Sequence, residues 1–335
     1  MTSTSDEPTE AATGDRGGAT SISDVHPDII QTHILTRLDG PTLASAATTS
    51  SELHTLSADN NLWANACHST WPSTISPRVH HVISTFPNGP RSFFADSFPS
   101  SRPSPTAPTT KPHRTPQLIS AVDLFHGDRL LFSKVVETET GTGWFRCSPF
   151  RIDLVDPKDV VRTRLKYPVD EDTCKNLGEE LKLSWIVIDP TVRRAVNVSS
   201  FNAVSVNKHW LSGEVEVRFA TVVDGERGTA REVVLCSVTV TWGEEMQVRE
   251  VSLQMEDMDG MQMNGRDCLV ILLRALEGER KRKKKEEGCD YRAFVRKKKE
   301  RMERKVRAEG RLDMLCVGLA LFSTFSALFL LFRWK

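Results

Sequence analysis

None of the seven cysteines stands in a C-x-x-C pair; Cys67, Cys147, Cys174, Cys236, Cys268, Cys289 and Cys316 are scattered along the 335 residues. Disulfide frameworks and structural zinc sites use paired spacings, so neither is expected, and reduced thiols of the cytosol or nucleus fit best. The first twenty residues are rich in Ser, Thr, Gly and Glu without an apolar run. A secretory signal is therefore not expected there, and residues 1–22 read as a disordered leader. Catalytic patterns are missing too. Gly141 and Gly143 lack the later glycines and lysine of a phosphate loop. His80 and His81 have no further ligand nearby, and His126 and His209 have no Ser or Cys placed as a nucleophile. No catalytic, metal or cofactor-binding residue is assigned, and no cofactor is expected.

Net charge is also absent, with 44 Lys and Arg against 44 Asp and Glu. The balance conceals a division. Residues 279–311 carry 16 Lys and Arg against 7 Asp and Glu, a local charge of +9; Asp313, Arg333 and Lys335 bring it to +10, which leaves residues 1–278 at −10. The proline-free basic stretch, residues 278–313, predicts a helical neck. No aromatic interleaving accompanies it, so nucleic acid is not an expected partner. Residues 314–332 then run without a charge, about 28 Å as a helix, and Arg333, Trp334 and Lys335 follow. This pattern predicts a single transmembrane helix, tail-anchored, with the lipid bilayer as partner. The basic flank predicts a cytosolic N-terminal body, with the endoplasmic reticulum first among cytosol-facing membranes.

What is present in the body changes period along the chain. Residues 69–117 read as a connecting segment, and residues 87–116 within it hold eight of the 17 prolines in a Pro/Ser-rich linker. Residues 118–277 read as a β-rich domain, and from residue 118 to 256 the apolar residues recur mostly at every second position. Val215, Val217 and Phe219 alternate with Glu214, Glu216 and Arg218. Val234, Cys236, Val238, Val240 and Trp242 form another such row; so do Leu181, Leu183, Trp185 and Val187, and Val251, Leu253 and Met255. Two more strands are expected over residues 130–136 and 145–155. Six to eight short strands without intervening helices imply an antiparallel, sandwich-like β domain. Residues 266–277 predict an apolar helix packed on it. Trp185, Trp210 and Trp242 are open between core filling and an exposed recognition surface.

Residues 23–68 read as a small helical module. Pro27 suits a first helical position and Asp28 complements the helix dipole. Ile30, Ile34 and Leu38 recur at intervals of four, with Ile29 and Leu35 beside them, and Gly40-Pro41 ends that helix and begins another. So few residues bury such a surface poorly alone, which implies a partner that completes the core. The series His26-Pro27-Asp28-Ile29-Ile30, Ile34-Leu35-Thr36-Arg37-Leu38-Asp39-Gly40-Pro41-Thr42-Leu43-Ala44-Ser45-Ala46 and Leu62-Trp63 resembles an F-box. The whole layout is similar to a plant F-box subfamily with a β-rich C-terminal domain and a hydrophobic tail. His26 stands where the family carries leucine, and the first-helix spacing is displaced by one residue at Ile29-Ile30.

The resemblance implies an α+β chain and a non-catalytic role. In that family the module binds a Skp-type adaptor and through it a cullin, forming a ubiquitin ligase for which the C-terminal domain receives an unidentified target protein. By position, Pro27, Ile30, Ile34, Leu35 and Leu38 would contact the adaptor, while Leu43 and Trp63 would close the module's own core. The competing readings are a non-ligase adaptor or scaffold and a membrane-associated enzyme; the latter would need a cleft of convergent titratable groups.

Overall fold

The computed structural model describes residues 25–98, 115–156, 158–159, 161–226, 228–277 and 289–334. The expected leader, the central part of the Pro/Ser-rich linker and the start of the basic neck lie outside the described residues. The chain divides into two compact units, residues 1–62 and 63–335.

In the first unit, α1 (Pro27–Ile29) passes directly into a π-helical turn (Ile30–Ile34) and a 3-10 turn (Leu35–Arg37). Leu38 is extended, and Asp39 then caps α2 (Gly40–Ala46) by accepting from the Thr42 N–H at 2.9 Å. Ser50 caps α3 (Ser51–Leu56) in the same way, accepting from the Leu53 N–H at 3.1 Å. The boundary between the units falls inside α4 (Asn60–Thr70), between Leu62 and Trp63.

The second unit is antiparallel throughout its sheets. Strands β1 (Gln117–His126), β2 (Arg129–Glu139), β5 (Leu181–Asp189) and β6 (Arg194–Asn197) form a four-stranded sheet in the order β2-β1-β5-β6. The other sheet is six-stranded. It runs β3 (Arg151–Asp153), β10 (Gln247–Glu256), β9 (Val233–Trp242), β8 (Val215–Asp224), β7 (Ser205–Lys208), with β4 (Val161–Arg162) also pairing β10. One apolar core joins the sheets. Leu118, Val122 and Leu124 of β1 and Leu183, Trp185 and Val187 of β5 meet Val217 and Phe219 of β8, Val238 and Val240 of β9, and Val251 and Leu253 of β10. Helix α9 (Gly265–Glu277) adds Cys268, Ile271 and Leu272 to this core. Two helices also interrupt the strands: α7 (Gly143–Cys147), capped by Thr142, and α8 (Glu171–Glu180), opened by a capping box between Asp170 and Thr173. The expected strand over residues 145–155 is thus the end of α7 followed by β3.

Residues 69–98, read from sequence as part of a connecting segment, fold into a helical layer over the other face of the four-stranded sheet. After α4 come a 3-10 turn (Pro72–Ile75), α5 (Pro77–Ser84) and α6 (Gly89–Ser97). An aromatic cluster holds the layer together: Trp71 meets the Phe93 and Phe94 rings at 5.9 and 5.1 Å, and Trp63 meets Phe94 at 5.5 Å. Polar contacts fasten it to every strand of the sheet. Arg78 pairs with Glu137 on β2 at 3.2 Å, and Arg194 on β6 pairs with Asp96 at 2.8 Å. The Trp71 indole N–H donates to Ser184 Oγ on β5 at 3.2 Å. On β1 the buried Asp123 accepts from the Ser73 N–H, the Ser73 hydroxyl and the Ser133 hydroxyl at 2.9, 2.6 and 2.7 Å.

The expectation of a transmembrane helix over residues 314–332 is overturned. Among the described residues no helix is long and apolar enough to cross a membrane. The apolar residues form the end of α10 (Cys289–Arg333), one helix of 45 residues whose first part is the basic neck. Directly N-terminal to Met314 the same helix carries Asp313, Arg311 and Glu309. The single-pass topology, the endoplasmic reticulum assignment and the bilayer contact fall with it. Three of the neck's cations pair with acidic residues of the same unit. Lys298 pairs with Glu256 at 2.9 Å, and Arg301 and Lys305 pair with Asp259 at 2.6 and 2.9 Å. Phe294 is buried against Ala220, Val222 and Leu235 on the outer face of the six-stranded sheet.

Candidate functional site

The first helix of the N-terminal unit sorts its apolar residues by an interval of five. In the π turn the Leu35 N–H bonds the Ile30 carbonyl, so one extra residue enters the turn. Ile30 and Leu35 consequently share the inner face, 1% and 2% exposed, while Ile29 and Ile34 share the outer face at 49% and 38%. Two threonine hydroxyls reinforce the widened turn. Thr32 Oγ1 donates to the Asp28 carbonyl at 2.6 Å and Thr36 Oγ1 to the Thr32 carbonyl at 2.7 Å, a back-bonding that bends helices. Farther along, Gln31 Nε2 donates to Asp59 Oδ2 at 3.0 Å and ties this helix to the start of α4. Hydrogen bonds from the Thr42 hydroxyl and N–H hold the Asp39 carboxyl below its ordinary range.

The residues proposed from sequence therefore separate. Pro27 and Ile34 are exposed and Leu38 is half-buried, whereas Ile30 and Leu35 point inward. Ile29, not among the contact residues expected from sequence, lies on the helix's outer face with Ile34. The signal for it was the Ile29-Ile30 doublet, whose displaced spacing the π turn accommodates. Leu43, in α2, is buried. Trp63 falls in the second unit, beside Phe94 and beneath the Arg91 guanidinium at 5.8 Å. The outward set is apolar and carries no group that could act on a covalent bond. What it can do is bury itself against a partner.

A small pocket is lined by Ala64, Cys67, His68, His80, Ile83, Ser84 and Pro90. Burial, then the neighbouring His80, lowers the His68 pKa, and burial pushes the Cys67 thiol to about 12. Among the described residues no group of three His, Cys, Asp or Glu could hold a metal. His126 pairs with Glu180 at 2.7 Å. Of the three tryptophans left open, Trp185 and Trp242 are fully buried, and the Trp185 indole donates to Ser120 Oγ at 3.2 Å. Trp210 is 88% exposed.

Curated relatives cover nearly the whole chain. It is 47% identical over 328 residues to the F-box protein At2g27310 of Arabidopsis thaliana, spanning 93% of this chain and 97% of that protein. The probable F-box protein At2g36090 of the same plant is 47% identical over 306 residues, 90% of each chain. A third Arabidopsis protein, the F-box protein At3g44326, is 43% identical over 307 residues, 87% of this chain and 85% of its own. No family model and no solved structure matches.

Proposed function

The chain belongs to the F-box protein family, and from that premise we propose that it is the non-catalytic target receptor of a Skp/cullin-type ubiquitin ligase. Its first helix binds the Skp-type adaptor, the adaptor links it to a cullin, and the β domain holds a target protein. The observation that carries this reading is the outward apolar pair, Ile29 and Ile34, with Pro27 beside it. Water-exposed isoleucines on a helix this short gain free energy when a partner covers them, roughly 25 cal/mol for each Å² of apolar surface removed from water. Ile30, Leu35 and Leu43 support the surface from within rather than touching the adaptor.

The test is reconstitution. The full chain, a plant Skp-type adaptor and a cullin are mixed and resolved by size exclusion. Co-elution of all three, lost on Ile29→Asp/Ile34→Asp, is the expected outcome, because each substitution puts an unpaired charge into an apolar contact. Adaptor without cullin would identify a non-ligase scaffold. Adaptor binding undiminished in the double variant would remove this surface from the account.

A further inference from the structure

A second exposed apolar surface lies at one end of the six-stranded sheet, where β8 begins and β7, β9 and β10 have their matching ends. Residues 161–169 leave β4 there and meet the β7–β8 hairpin: the Tyr167 hydroxyl donates to the Gly213 carbonyl at 2.5 Å. Lys208 Nζ lies 4.6 Å from the Tyr167 ring centroid and donates to the Pro168 carbonyl at 3.4 Å. Gly213 turns the hairpin at φ 70°, and a Cβ there would stand 3.1 Å from the Tyr167 oxygen. The two loops are thus braced in one arrangement. On it stand Trp210, Leu211 and Val169, 88%, 74% and 78% exposed.

Charge approaches this patch from one side. In residues 161–166 burial alternates: Val161 and Leu165 pack on the core, while Arg162, Arg164 and Lys166 are exposed. None of these three side chains has an ion pair or hydrogen bond among the described residues. On the far side, α8 opens with the acidic Glu171 and Asp172. Of the acidic groups beside the patch, Glu214 is paired with Arg249, while Asp170, the N-cap of α8 held by Thr173, adds its charge to Glu171 and Asp172 on that far side.

Resting on the target-receptor reading, we propose that this end of the sheet is the target-recognition surface, and that it takes an extended, acidic segment of the target followed by an apolar anchor. The segment's carboxylates lie along Arg162, Arg164 and Lys166, and its anchor fills the space among Val169, Trp210 and Leu211. Aromatic anchors on a braced scaffold lose little entropy on binding. The basic row sets polarity, since an acidic segment running the other way would meet Glu171 and Asp172.

Fluorescence anisotropy with the full chain tests this. The probe is a fluorescein-labelled peptide, acidic in its first half and ending in Phe-Leu. Its controls are the reversed sequence and a twin with Lys in place of every acidic residue. Binding of the probe over both controls is expected, weakened by salt, and reduced about tenfold or more by Trp210→Ala/Leu211→Ala and by Arg164→Glu/Lys166→Glu. The second variant keeps the test alive should the first fail to fold. Equal binding of the reversed or Lys peptide, or of the probe to folded variants, would overturn the proposal. So would stronger binding of an unstructured RNA, which would assign the basic row to nucleic acid. Adaptor binding is measured in parallel: its loss with peptide binding intact would defeat the receptor reading alone, and the converse would defeat only this surface.

Discussion

Ile29 and Ile34 stand outside on a helix of a few residues, whereas Trp71, on a turn of similar length in the second unit, is buried with its indole N–H on Ser184. The first unit supports its outer face with inward Ile30 and Leu35 and leaves that face to water. The second unit leaves little of its helical layer unsatisfied: aromatic rings interlock and Asp123 gathers three donors. A helix that is finished by its own chain and a helix that awaits another chain differ in where their apolar residues end up, and hence in what a substitution does. In the finished region substitutions move stability. In the unfinished region they are expected to move binding.

The largest effect is expected in the sandwich core. Trp185→Ala removes a fully buried indole and leaves the Ser120 hydroxyl without it, which should lower stability by about 3–5 kcal/mol. A denaturant titration of the full chain checks this, and a loss under about 1 kcal/mol would mean the core repacks freely.

Asp123 gives an intermediate and pH-dependent effect. Burial raises its pKa above 3.8 despite the hydrogen bonds from Ser73 and Ser133 that lower it. The folded chain therefore holds this proton more tightly than the unfolded chain. Its contribution favours folding at low pH and is lost as pH rises from 3.8 through the raised folded value. Asp123→Asn should remove that slope from a melting-temperature profile. Asp123→Ala, which strands the Ser73 N–H and two hydroxyls, should cost about 1–3 kcal/mol at neutral pH. Identical pH profiles for Asn and wild type would contradict the assignment.

How far the sequence revealed these regions follows from how each buries its residues. β5, β8, β9 and β10 were legible because Leu183, Val217, Val238 and Leu253 alternate with residues on the opposite sheet face. β1 was not, since helices cover one face and the core the other; Ile119, Ala121, Val122 and Leu124 leave no polar alternation to read. The helical layer was hidden by its prolines, which look like linker but occupy first helical turns at Pro72, Pro77 and Pro90. The apolar tail misled because length without charge was measured apart from the charged helix it continues. At the candidate site, the doublet Ile29-Ile30 showed that the spacing was displaced, but choosing the outward member required the π turn. A period of four made Ile30 and Ile34 neighbours; a period of five separates them. Trp210 could be told from Trp185 and Trp242 only by its place on a hairpin tip rather than in a strand.

The smallest stability effects should fall on the outward pair. Ile29→Ala and Ile34→Ala are each expected to change stability by about 0.5 kcal/mol or less, while Ile30→Ala and Leu35→Ala cost about 2–5 kcal/mol. The most direct test of the central claim is calorimetric titration of a Skp-type adaptor into each of these four variants, with the melting temperature taken on the same samples. The account predicts that Ile29→Ala and Ile34→Ala weaken adaptor binding about tenfold or more with unchanged melting, and that Ile30→Ala and Leu35→Ala lower the melting temperature first. Wild-type affinity in both outward variants would contradict it.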